Sequence, residues 1–163
     1  MPAPQINIIH VEDDPLDTEL IHQLLVREGV DCVVRRVETA EELTSAIRQG
    51  GYDLIMSDFS LPSFNGYAAL KIRQALCPDI PFVLISGTLG EEAAIDAFAG
   101  GATDYILKQR LERLVPSIRR ALREAAERAD RLRAEAELRL AHQRLQFHIE
   151  NSPLAVVELD SRQ

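Results

Sequence analysis

Five short runs of apolar, largely β-branched residues, each followed by a stretch of helical periodicity, set the strongest limit on what this chain can fold into. The first run, Ile6-Asn7-Ile8-Ile9-His10-Val11, has the length of a buried strand; Asp14-Pro15 and a segment with apolar Leu20, Ile21, Leu24 and Leu25 on one helical face follow it. A second strand is predicted at Cys32–Val37, and Thr39-Ala40-Glu41-Glu42 matches a capping box that opens a helix running to about residue 49, where Gly50-Gly51 stops it. A third strand at 52–56 leads into a loop over 57–65 and a helix near Gly66–Leu76. A fourth strand at 81–86, a helix near Glu91–Ala99 and a fifth strand at Asp104–Leu107 complete the series. Strands that alternate with helices pair in parallel through right-handed crossovers, so the expected fold is α/β: a doubly wound five-stranded parallel sheet covered on both faces.

From residue 111 to about 149 the pattern changes, with no Gly and a single Pro at 116. Wholly helical, such a stretch spans ~58 Å, longer than a domain of this size is wide. Leu122, Ala125, Ala129, Leu132 and Ala136 follow a 3-4 spacing, and Ala134, Leu138, Ala141, Leu145 and His148 follow another out of frame with it. A narrow seam of this kind suits a coiled coil between two copies, with a register break. The formal charge of −8 divides at the same place: residues 1–108 carry 17 acidic and 7 basic side chains (−10), residues 109–163 carry 9 and 11 (+2). An acidic body without a helix-turn-helix pattern or an aromatic stacking platform argues against a nucleic-acid partner. No apolar run approaches the roughly 18 residues of a membrane span and the N-terminus lacks a signal-peptide pattern, so a cytoplasmic protein without a membrane partner is expected. Cys32 and Cys77 have no metal-type spacing and are expected as reduced thiols.

In a doubly wound sheet the ligand crevice lies beyond the carboxyl ends of the strands. The residues delivered there are Glu12-Asp13-Asp14 after strand one, Asp58 after strand three, Ser86-Gly87-Thr88 after strand four and Lys108 after strand five. Crowded carboxylates repel unless a cation joins them, and a few oxygen ligands completed by water suit Mg²⁺. A hydroxyl and an ammonium facing such a metal make a site for phosphoryl transfer, where positioning and charge neutralisation do most of the work. Asp14 is a helix-cap candidate rather than a ligand; Asp53 and Asp104 read as turn or capping residues.

Over about residues 5–125 the chain resembles a response regulator receiver domain of two-component signalling. The motifs are Glu12-Asp13, Ser57-Asp58-Phe59-Ser60-Leu61-Pro62, Ile85-Ser86-Gly87 and Asp104-Tyr105-Ile106-Leu107-Lys108, in that order. The resemblance implies Asp58 as phosphoacceptor, and Glu12, Asp13, Asp58 and the Ser60 backbone carbonyl as Mg²⁺ ligands. It implies Ser86 as switch hydroxyl, Tyr105 as rotating aromatic, Lys108 as the partner of the carboxylate and then of the phosphoryl oxygen, and the Gly87 and Phe59 backbone beside the phosphoryl group. It implies a histidine kinase or phosphotransfer protein as donor, and self-phosphotransfer and autodephosphorylation rather than turnover of an external substrate. Physically, Asp attacks phosphorus when a metal and an ammonium screen its charge, and Lys places a compact charge where the Arg fork would crowd.

Two residues depart from the family pattern. Many receivers place Pro after the Lys, often with a cis peptide, but Gln109 stands here, so a trans bond and a different loop are expected. The switch hydroxyl is Ser rather than the more frequent Thr. Two rival readings are a Mg²⁺-dependent phosphohydrolase with Asp58 as nucleophile, which lacks a second Asp at position 60, and a degenerate receiver serving as a dimerisation scaffold. Beyond the receiver, 126–150 reads as a coiled-coil linker, and the stretch from Phe147 to Asp160 resembles the opening of a PAS sensory domain, with 151–163 as its truncated start. The expectation is an N-terminal piece of a longer protein, with the helix transmitting the receiver's state to an output domain.

Overall fold

A computed structural model describes residues 4–88 and 90–152. The strands are β1 (Ile6–Val11), β2 (Cys32–Val37), β3 (Leu54–Asp58), β4 (Phe82–Ser86) and β5 (Asp104–Leu107). The helices are α1 (Pro15–Arg27), α2 (Ala40–Gln49), α3 (Gly66–Leu76), α4 (Glu91–Ala99) and α5 (Leu114–Glu150). All strand pairs are parallel, in the order β2-β1-β3-β4-β5. The expected doubly wound sheet and long C-terminal helix are both present.

Side-chain alternation divides the core in two. Ile8, Leu54, Met56, Val83, Ile85 and Ile106 face α1 and the first turns of α5, where Ile21, Leu25, Leu114 and Ile118 meet them. Ile9, Val11, Ile55, Phe82 and Leu84 face the opposite way, against Leu43, Ala46, Ala69, Leu70 and Ala97 of α2, α3 and α4. The same phase carries on to the strand ends. His10 and Glu12 follow Ile8, Asp58 follows Met56 and Lys108 follows Ile106, whereas Ser86 follows Leu84 and Tyr105 is out of phase with Ile106. Acidic and ammonium groups therefore emerge toward α1, and the two hydroxyls toward α4.

Three local expectations are corrected. Strand β3 lies two residues later than 52–56, because Ser57 and Asp58, polar and loop-like in sequence, are buried and register with Leu84 and Ile85 of β4. The last helix begins at Leu114 rather than 111; a 3-10 segment, Lys108–Arg113, precedes it and is broken at Arg110 (φ −131°, ψ 45°). In α2 the Thr39 hydroxyl accepts from the Glu42 N–H at 3.1 Å as a capping box requires, but the Glu42 carboxylate reaches the Glu38 N–H at 2.7 Å instead of the Thr39 N–H. Asp14 caps α1 as expected, accepting from the Leu16 N–H at 2.8 Å with Pro15 in the first turn.

The chain divides into two compact units, 1–125 and 126–163. In the second, α5 continues to Glu150 with every side chain of 126–150 exposed, Leu132, Leu138, Leu145 and Phe147 among them. The expected PAS strand at 155–159 lies outside the described residues. Among the described residues no helix is long and apolar enough to cross a membrane, and no peptide bond is cis.

Candidate functional site

The Asp58 carboxylate sits at the carboxyl end of the central strand β3, 6% exposed. Its Oδ1 accepts from the Ser60 N–H at 3.2 Å, which turns the chain out of the sheet. Its Oδ2 accepts from the Lys108 Nζ at 2.7 Å. The ammonium also donates to Asp17 Oδ2 at 2.8 Å and lies 3.8 Å from Glu12 Oε2. Burial alone would lower the Lys108 pKa, but the hydrogen bonds to Asp17 and Asp58 outweigh it and hold the amine well above its ordinary value.

Glu12, Asp17 and Asp58 offer carboxylate oxygens within 4.8 Å of one another. Glu12 is 2% exposed, and burial pushes its pKa up to about 8; the Asp14 N–H, donating to Oε1 at 3.1 Å, pulls the other way, while Asp13 and Asp58 push it further up. A carboxylate whose proton is favoured first by burial and then by neighbouring carboxylates gains from an arriving divalent cation, so the donor set fits Mg²⁺. Asp13, expected as a ligand, is exposed and stands outside this three-carboxylate group, beside Glu12. Asp17, the third carboxylate of the group, is bonded to the Lys108 ammonium. Its position was legible: residues 17, 21 and 25 recur every fourth residue of α1, and Ile21 and Leu25 are buried, so Asp17 sits at the outer end of the core-facing line.

Beneath the carboxylates His10 is fully buried, its Nδ1 3.0 Å from the Thr18 hydroxyl and its Nε2 without a hydrogen-bond partner. Burial lowers its pKa to about 4, keeping the ring neutral. Sequence reading assigned it only to the strand.

The hydroxyl side is arranged around one carbonyl. Ser86 Oγ donates to the Thr88 carbonyl at 3.1 Å and accepts from the Thr88 N–H at 3.3 Å, and the Tyr105 hydroxyl donates to the same carbonyl at 3.2 Å. In this state Ser86 is turned toward its own loop. Among the described residues, a Cβ placed on Gly87 would meet only Lys108 Cδ, at 4.0 Å. The Phe59 N–H donates to the Ile85 carbonyl at 2.9 Å in the β3–β4 ladder, which leaves the Ser60 N–H as the amide nearest the carboxylate. Gln109, where Pro was the family expectation, donates from Nε2 to the Gly87 carbonyl at 3.0 Å and ties the 3-10 segment to the end of β4.

Residues 8–119 match the family described as response regulator receiver domain. The chain belongs to that family. Among curated relatives, this receiver is 34% identical over 122 residues to the uncharacterized transcriptional regulatory protein YcbL of Bacillus subtilis, covering 72% of this chain and 53% of that one. It is 29% identical over 102 residues to the DNA-binding transcriptional regulator NtrC of Proteus hauseri, covering 63% of this chain and 21% of the relative. Among solved structures, NtrX from Brucella abortus superposes with a TM-score of 0.69 at 28% identity, over 78% of this chain and 29% of that one. A CheY-like receiver domain protein from Methanospirillum hungatei gives 0.67 at 25% identity, over 77% and 99%. The receiver thus spans about a fifth to a half of the curated relatives named. Domains of this family are phosphorylated on an aspartate and bind Mg²⁺ at an acidic pocket, and they are generally signalling modules rather than enzymes.

Proposed function

We propose that this receiver accepts a phosphoryl group on Asp58 from a histidine kinase or phosphotransfer protein and passes the change through α5 to a downstream sensory or output domain. The observation that carries the reading is the buried Asp58 carboxylate with the Lys108 ammonium on its Oδ2 at 2.7 Å. A carboxylate oxygen of Asp58 attacks phosphorus, the bond from phosphorus to the donor's imidazole nitrogen breaks, and its electron pair leaves with the ring. The product is an acyl phosphate, which water returns to carboxylate and inorganic phosphate.

Lys108 holds the carboxylate before transfer and takes a phosphoryl oxygen afterwards. Glu12, Asp13, Asp58 and the Ser60 carbonyl would hold Mg²⁺, with Asp17 close to the same oxygens. The metal supplies neutralisation of charge on the phosphoryl oxygens. As charge builds there, the Ser86 hydroxyl leaves the Thr88 carbonyl for the phosphoryl group, and Tyr105 loses the partner that shared its acceptor.

The exposed apolar residues of 126–150 suit a parallel pairing with a second copy, and a PAS module after residue 151 is the reading of the segment beyond. A cytoplasmic location and no nucleic-acid contact by this chain belong to the same proposal; the net charge of −10 over residues 1–108 supports the second. Incubation with Mg²⁺ and acetyl phosphate followed by intact-mass measurement tests the phosphoacceptor: one base-labile phosphoryl adduct is expected, absent from Asp58→Asn. An adduct of equal yield in that variant overturns the reading. Light scattering at high concentration tests the dimer; a monomer overturns it.

A further inference from the structure

We infer that Asp17 is a positioning residue for the phosphoryl-transfer reaction, acting through Lys108: it anchors the ammonium from α1 so that one hydrogen always points to Asp58 or to the group that replaces its charge. This rests on the reading of Asp58 as phosphoacceptor.

Lys108 begins one residue past the end of an edge strand, at the tip of a flexible four-carbon stem whose side chain is 33% exposed. One carboxylate in reach would let Nζ swing about a single contact. Here two carboxylates on different elements hold it, Asp17 Oδ2 at 2.8 Å from the first turn of α1 and Asp58 Oδ2 at 2.7 Å from the end of β3. Glu12 at 3.8 Å lies beyond hydrogen-bond range. An ammonium has three hydrogens, so one remains after these two bonds. Phosphorylation converts the Asp58 carboxylate to an ester-like acyl group and moves its charge outward to the phosphoryl oxygens. Asp17 does not react and keeps its charge and its bond. The ammonium can then follow the charge by redirecting the hydrogens that Asp17 does not use, without a search from solvent. The α1 helix is itself well fixed for this task, with Asp14 capping its start and Ile21 and Leu25 buried on the same line as Asp17.

The chain contains two lysines, Lys71, which is exposed, and Lys108, so side-chain ammonium resonances in a ¹⁵N-correlated spectrum report on Lys108 directly. For the full chain, one slowly exchanging ammonium is expected. In Asp17→Ala its hydrogen exchange rises by about tenfold while Lys71 is unchanged, and labelling by acetyl phosphate at saturating Mg²⁺ slows about fivefold. Asp17→Glu recovers part of both losses. Asp17→Asn, which keeps the shape and an acceptor oxygen, shows a smaller change in each and serves where the alanine variant does not fold. An unchanged Lys108 resonance overturns the inference, and so does altered exchange with an unaltered labelling rate. A rate defect that disappears as Mg²⁺ is raised also overturns it, because Asp17 would then act on the metal. If the parent chain takes no phosphoryl group at all, the Asp58 reading fails and this one with it; if the parent labels and the variants behave as the parent does, only the role of Asp17 falls.

Discussion

Ser86 and Tyr105, on neighbouring strands, donate their hydroxyls to a single acceptor, the Thr88 carbonyl, at 3.1 and 3.2 Å. Neither can take a new partner without changing the competition for that oxygen. Ser86→Ala leaves the carbonyl to Tyr105 alone and removes the group that a phosphoryl oxygen would draw away. The expected result is a variant that still labels on Asp58 but whose backbone amide shifts over 88–94 and at Tyr105, on adding beryllofluoride and Mg²⁺, are less than about half those of the parent. A full-sized response would separate the two hydroxyls.

Two buried groups in the metal-free protein give opposed pH dependences. His10, lowered by burial from 6.5 to about 4, stays neutral in the fold while the unfolded chain takes a proton, so its contribution is present above pH 6.5 and is lost as pH falls toward 4. Its full size is on the order of 3 kcal/mol. Glu12, raised by burial from 4.5 to about 8, binds its proton more tightly when folded, so its contribution is present below pH 4.5 and is lost as pH rises through 8. The two offset one another between pH 4.5 and 6.5, and from 6.5 to 8 the Glu12 loss acts alone. Urea titrations in EDTA are expected to show falling stability over that upper window, flattened in Glu12→Gln, and a loss of the acid-limb decline in His10→Gln.

Gly66 opens α3 against the end of β3 with no room for a side chain. A Cβ there would stand 2.5 Å from Leu84 Cδ2 and 3.1 Å from both the Asp58 carbonyl oxygen and Phe59 Cα. Gly66→Ala is expected to cost about 2 kcal/mol by urea unfolding. Gly87→Ala, whose nearest neighbour would be Lys108 Cδ at 4.0 Å, is expected within about 0.5 kcal/mol of the parent while lowering acetyl phosphate labelling.

Asp104 joins β5 to α5. Its carboxylate accepts from the Tyr105 N–H at 2.8 Å, from Ser117 Oγ at 2.6 Å and from Arg120 Nη2 at 2.8 Å. Ser117 is buried, so Ser117→Ala is expected to destabilise by about 1 kcal/mol, and Asp104→Ala, which orphans a buried hydroxyl, by about 2. Arg120 is half exposed, and its loss is expected to stay below about 0.5 kcal/mol. A thermal melt ranking these three in another order would contradict the assignment of Ser117 as the main tie.

The sheet and the rim were legible because β-branched runs of strand length alternate with capped helices, and the crevice in such a fold has a fixed place. What stayed hidden has physical reasons. Ser57 and Asp58 looked like loop because they are polar; in the fold the Ser57 hydroxyl donates to the Asp58 carbonyl at 2.9 Å and Asp58 receives Lys108, so both groups tolerate burial in a strand. Asp17 was not singled out, because it lies inside α1 and not just past a strand; its phase with buried Ile21 and Leu25 was the signal that it faces inward. The Thr88 carbonyl is a main-chain atom with no residue signature. Asp13, past the end of β1, is exposed, with its side chain against Glu12.

The strands that carry the site differ in how firmly they are held. Glu12 follows β1 and Asp58 ends β3, strands flanked on both sides; β5, four residues long and paired with β4 alone, carries Tyr105 and leads directly into Lys108. The proposed metal ligand Glu12 and nucleophile Asp58 thus lie at the ends of strands paired along both edges, whereas Tyr105 and Lys108 depend on an edge strand. Fraying of that edge would free Tyr105 and Lys108, two of the groups that the proposed phosphorylation rearranges. If Asp58 is phosphorylated as proposed, the local stability of these four residues sets how far the domain signals before any phosphoryl group arrives.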